Sequence, residues 1–142
     1  MSDLIEYIYS STIYLLTESY NAFRRCFRKS YEDYYEEYNR ACMYGTVDKV
    51  ERLLKKCDLL SKEAGLLLAS GGGNISVTEY LIKKGAVNLD EALAEACKKN
   101  RYSIADLLVR KGASTTVGLR YATSLNIIRM LYRCENGGGN II

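Results

Sequence analysis

Apolar residues recur along the chain at three- and four-residue steps, in blocks separated by short polar or glycine-bearing stretches. Leu4, Ile5, Ile8, Tyr9, Leu15, Leu16, Tyr20, Phe23 and Phe27 mostly keep that spacing, which lines one face of an amphipathic helix or of two short ones. Beyond them the pattern breaks into shorter units. It predicts a helix over about 3–28, then helix pairs at 31–43 and 47–56, 62–71 and 75–84, 90–99 and 102–111, and 117–123 and 125–133. Ser2 is placed to cap the first helix, and Ser30 with Asp33 resembles a capping box opening the next. Three glycines in residues 136–142 point to a flexible tail. The chain is thus expected to be organised as an amphipathic region at 1–30, about four paired-helix repeats at 31–135, and that tail.

The pairs repeat in residue type as well as in pattern. Ala41, Ala69, Ala96 and Ala122 are spaced by 28, 27 and 26 residues. Three residues before each stands a large apolar side chain, Tyr38, Leu66, Leu93 and Leu119, and one residue after each a small one, Cys42, Ser70, Cys97 and Thr123. Gly65, Ala92 and Gly118 stand four before the last three. Large and small residues fixed on one helical face describe helices that approach one another closely. Twelve residues after the first three alanines come Leu53-Leu54, Leu81-Ile82 and Leu108-Val109, then Lys55-Lys56, Lys83-Lys84 and Arg110-Lys111. Gly85-Ala86 and Gly112-Ala113 close two of these blocks, as at a helix end that needs positive φ. Glu51, Glu79 and Asp106 precede Lys55, Lys83 and Arg110 by four residues, the favourable order for ion pairs on a helix surface. In the last copy Met130-Leu131 follows Ala122 by only eight residues, so about one turn is expected to be missing from the connection, as in a repeat that ends a stack.

The core alanine, the glycine four residues on (Gly45, Gly73; Asn100 in the third copy), the aliphatic helix and the closing Gly-Ala resemble the ankyrin repeat over roughly residues 38–135. The Thr-Pro-Leu-His opening of a standard repeat is absent, and the period is about 27 rather than 33. The missing residues fall where the β-hairpin finger projects, so short loops are expected there. In that respect the repeats are similar to degenerate ones encoded by large DNA viruses. The resemblance implies an all-α, short helix-turn-helix repeat solenoid, a curved stack with an N-terminal capping helix. It implies a protein–protein interaction module whose inner helices present Arg40, Tyr44, Leu67, Lys98, Lys99 and Tyr121 to a partner.

Composition narrows the chemistry. There is no histidine to serve as the commonest acid–base group near neutral pH. Five scattered cysteines, Cys26, Cys42, Cys57, Cys97 and Cys134, show no metal-site spacing and read as reduced thiols in a cytoplasmic compartment. Cys42 and Cys97, beside the repeat alanines, are expected in the core. Gly71-Gly72-Gly73-Asn74 lacks the strand and the Gly-Lys-Ser/Thr ending of a phosphate loop and reads as a turn. No catalytic role, metal or cofactor is therefore expected, and no small-molecule substrate. No apolar run reaches the roughly 20 residues of a membrane span, and no Lys or Arg precedes the apolar 4–16 stretch as in a signal peptide.

Two features carry alternatives. The basic pairs and Arg133 read first as solvated helix ends, where cations favour the dipole; merged into one patch they would make a weak nucleic-acid binder, although the net charge is only +3. The apolar stripe of residues 1–30 would support a structural, self-associating homo-oligomer if it exceeds what the first repeat covers. Tyr31, Tyr34, Tyr35 and Tyr38 fall on one side of a helix, and packing against that N-terminal helix is their first reading.

Overall fold

Every stretch with helical spacing between Tyr31 and Glu135 folds as a helix in the computed structural model, which describes Thr17 and residues 31–137. The helices are α1 (Tyr31–Tyr44), α2 (Val47–Lys56), α3 (Lys62–Gly72), α4 (Ile75–Lys83), α5 (Leu89–Lys98), α6 (Tyr102–Arg110), α7 (Thr115–Tyr121) and α8 (Leu125–Glu135). The expected ends move by one or two residues, and the described residues contain no strand. The chain divides into two compact units, Met1–Tyr34 and Tyr35–Ile142, and the second carries α2 to α8 with all but the first four residues of α1. Apart from Thr17, the helix expected over 3–28 lies outside the described residues, as do its cap Ser2, the capping-box Ser30 of the next helix, and most of the tail.

Small side chains set the spacing of the stack. Ala41, Ala69 and Ala96 are buried, as are Gly65, Ala92 and Gly118 one turn before the last three repeat positions. A Cβ on Gly65 would collide with the Tyr38 hydroxyl, and one on Gly118 would come within 3.0 Å of methyls of Leu93 and Leu131. With only hydrogen or a methyl group at these positions, α3, α5 and α7 pack side by side more closely than α2, α4 and α6 do. Leu66, Leu81, Leu93, Ile104, Leu108, Ile127 and Leu131 fill the space between the two rows.

Polar ties join each repeat to the next. The Asn74 side chain accepts from Val77 N at the start of α4 (3.3 Å) and donates to Gly45 O in the preceding turn (2.9 Å). Asn88 donates to Glu63 O (3.1 Å), Arg101 Nε to Gly71 O (3.1 Å), and Ser114 N to Asp90 Oδ1 (2.6 Å). The predicted glycine stops are in place: Gly85 and Gly112 have φ of 93° and 104°. There the following residues, Ala86 and Ala113, donate back to Leu81 O and Leu108 O. Asn100, standing where Gly73 has φ 93°, adopts φ 56°, a conformation asparagine tolerates better than most side chains.

The last copy departs from the alignment. Ala122 is not the buried alanine of a fourth inner helix: it follows α7 in extended conformation (φ −70°, ψ 126°) and is half-buried. The missing turn is taken from the C-terminal end of α7, not from the connection to α8, so the alanine position falls just beyond the helix. The four tyrosines also divide. Tyr38 is buried, with its hydroxyl donating to Ser61 O (3.0 Å), whereas Tyr31 and Tyr35 are exposed.

Candidate functional site

The row of first helices leaves a groove of about 450 Å³ between α3, α5 and α7, lined by Leu67, Asp90, Glu91, Ala94, Glu95, Lys98, Val117 and Tyr121. Its origin is the repeat itself. Leu67 and Ala94 stand two residues before the buried Ala69 and Ala96, on the neighbouring stripe of their helices. Glu91, Glu95 and Lys98 follow one another at helical steps along α5. Lys98 Nζ lies 2.7 Å from Glu95 Oε1 and 4.8 Å from the centre of the Tyr121 ring. The hydrogen bond to Glu95 holds its ammonium above the usual value, so it is charged. Asp90 is fixed by the Ser114 amide, which joins the end of the groove to the loop before α7.

Three of the six residues expected on the inner helices meet in this groove: Leu67, Lys98 and Tyr121. Arg40 and Tyr44 are exposed on α1, Tyr44 being 73% accessible, and Lys99 is exposed just past α5, near Gly71. None of those three lines it. Sequence reasoning missed Asp90, Glu91, Ala94, Glu95 and Val117. Carrying the Leu67 offset to the next alanine would have found Ala94, and helical steps back from Lys98 would have found the carboxylates. Also missed were Leu59 and Val87, 73% and 79% accessible, which stand in the short loops before α3 and α5. These are the truncated fingers.

The second-helix row is different in character. Lys55, Lys56, Lys83, Lys84, Arg110, Lys111 and Arg133 are all exposed. Glu51 lies 3.3 Å from Lys55 and 3.9 Å from Lys84, and Asp106 lies 2.6 Å from Arg110. The third expected pair, Glu79 with Lys83, does not form a salt bridge. Acidic partners thus interrupt the basic ladder at Glu51 and Asp106, so it does not run as one uniform stripe.

The thiols of Cys42 and Cys97 and the hydroxyl of Tyr38 are buried and neutral. Burial pushes the Cys42 thiol up to about 11, against a smaller opposite pull from the Tyr38 hydroxyl, and burial pushes Cys97 up to about 11. Burial also raises the Tyr38 hydroxyl far above its ordinary value. Thiols so placed are protonated near neutral pH and pack as small apolar groups. Gly71 and Gly72 end α3 and Gly73 with Asn74 turns the chain into α4, as expected. Among the described residues no cluster of His, Cys, Asp and Glu is arranged to hold a metal, and no helix is long and apolar enough to cross a membrane.

Comparison with curated proteins and with solved structures gave no match. The family model "Ankyrin repeats (3 copies)" matches residues 39–118, more than half of the chain. That span runs from within α1 to Gly118 of α7 and contains the whole of α3 and α5. Repeats of this kind generally serve protein–protein interaction. With its helix pairs, buried alanines and glycine-closed helix ends, the chain belongs to the ankyrin-repeat family.

Proposed function

We propose that the protein is a non-catalytic adaptor that holds another protein against its first-helix row. The observation that carries this reading is the groove at Leu67, Ala94, Val117 and Tyr121, an apolar floor drawn from three successive repeats. Recognition distributed over neighbouring repeats is what a stack offers in place of one deep pocket. Tyr121 suits the task, since a tyrosine supplies a large contact area with few rotatable bonds. Leu59 and Val87 extend the apolar surface at the loop tips. A cytoplasmic location fits the free thiols of Cys42, Cys57, Cys97 and Cys134. The truncated fingers fit the viral style of repeat, with a host or viral protein as the partner. The interrupted basic ladder argues against nucleic acid.

The test is affinity capture from the native cell with the full chain, with a Leu67→Glu, Tyr121→Ala double variant, and with a Lys55→Gln, Lys84→Gln double variant. A protein retained by the first and third and lost with the second supports this reading. A partner lost with the lysine variant and kept with the groove variant overturns it.

A further inference from the structure

The groove carries more than an apolar floor: its charge is opposite in sign to that of the whole chain, which is formally +3. Three carboxylates, Asp90, Glu91 and Glu95, line it against one cation, Lys98. Lys98 is already engaged by Glu95 at 2.7 Å and by the Tyr121 ring. Asp90 is held in position through one oxygen by the Ser114 amide, at 2.6 Å, which leaves the other oxygen to accept. Glu91 is exposed and has no cationic partner among the described residues. Ala94 is the smallest lining residue, and it leaves room between Leu67 on one side and Val117 with Tyr121 on the other.

We propose that this groove takes a segment of a partner protein in which one large apolar side chain is flanked by lysine or arginine. The proposal rests on the reading of the first-helix row as the binding face, and adds the chemistry of what is bound. The apolar side chain displaces water from Leu67, Ala94, Val117 and the Tyr121 ring. Lysine and arginine suit the edges because their methylene stems cover apolar surface while the charged heads reach Asp90 and Glu91. An acidic segment would set carboxylates against those same residues, and juxtaposed like charges are how an interface rejects wrong partners.

A displayed library of short random peptides, selected on the full chain at low salt, tests this directly. The selected peptides are expected to carry Leu, Ile, Met or Phe beside Lys or Arg, and to bind more weakly as salt rises. Glu91→Gln should weaken them about two- to fivefold, the range of an exposed ion pair. Tyr121→Ala and, separately, Leu67→Glu should remove binding. Because Glu91 is exposed, Glu91→Gln carries the test even if a groove variant melts early. Peptides that depend on Tyr121 and Leu67 but are acidic, or are indifferent to Glu91→Gln, overturn the partner chemistry and leave the binding face standing. Peptides indifferent to Tyr121→Ala and Leu67→Glu alike, or no selected peptides at all, overturn the face and the proposal with it.

Discussion

Tyr38 stands where the next two repeats have Leu66 and Leu93, and its ring reaches the place that Gly65 leaves empty. The exchange of leucine for tyrosine is possible because the hydroxyl finds Ser61 O, so a buried polar atom is satisfied. Ala69 and Ala96 have no such latitude. Both are fully buried against neighbouring helices, so leucine at either is expected to cost about 1–3 kcal/mol by overpacking. Parent-like melting of both variants would mean that the repeat register is misread. The buried thiols give a second residue-scale prediction. Cys42 and Cys97 ionise near 9.0 when unperturbed and at about 11 when folded. Between those values the unfolded chain has lost protons that the native chain keeps, so stability falls as pH rises. The contribution is whole below pH 9 and is lost on the way to about 11, with Tyr38 acting in the same direction above its ordinary 10.0. Urea midpoints measured under reducing conditions from pH 8 upward should decline over that window, and less steeply in Cys97→Ala. A flat profile in the parent would contradict the burial of both thiols.

At the scale of the element, helix positions were legible because the pairs carry their own end signals: an apolar face in each, acid-before-base order in the first three, and glycine at positive φ closing the second and third. What the spacing could not reveal are the ties between repeats. Asn74 to Gly45, Asn88 to Glu63 and Asp90 to Ser114 span 29, 25 and 24 residues, and their formation depends on loop conformation. The groove was half legible for a related reason. Leu67, Lys98 and Tyr121 follow from which helix face the family presents, but a carboxylate on a helix reads the same whether it edges a groove or faces open solvent. The basic helix ends show the opposite case, in which the plain reading suffices. Replacing Lys55, Lys56, Lys83 and Lys84 by glutamine removes two contacts to Glu51 and some favourable interaction with the helix dipoles. Exposed pairs are weak, so the total change is expected at about 1 kcal/mol or less by thermal melting. A larger loss would show that the ladder supports the fold in a way its exposure does not suggest.

For the stack as a whole, stability is approximately a sum over repeats and the interfaces between neighbours, so damage should stay near the repeat that receives it. The last pair is the place to examine this. α7 has seven residues, of which Gly118 is its one buried member, and it stops before the alanine position that anchors the other inner helices. Its attachment depends heavily on Leu131 of α8, whose methyls crowd the Gly118 position beside those of Leu93. Leu131 therefore joins α7, α8 and α5 at one point. Leu131→Ala should cost about 2–5 kcal/mol of local stability, as expected for a buried leucine truncated where neighbours cannot collapse fully. Because α3 and α4 share no interface with α8, the effect on them should be much smaller. Amide hydrogen exchange measured residue by residue distinguishes the two possibilities. In the parent, α7 and α8 are expected to exchange faster than α3 and α5, which have a packed repeat on each side. In the variant, protection should fall sharply in α7 and α8, partly in α5 and α6, and little in α3 and α4. Loss of protection spread equally from α1 to α8 would mean that the repeats unfold as one cooperative body. In that case the groove at Leu67 and Tyr121 would be as sensitive to changes at the far end of the stack as to changes in its own lining.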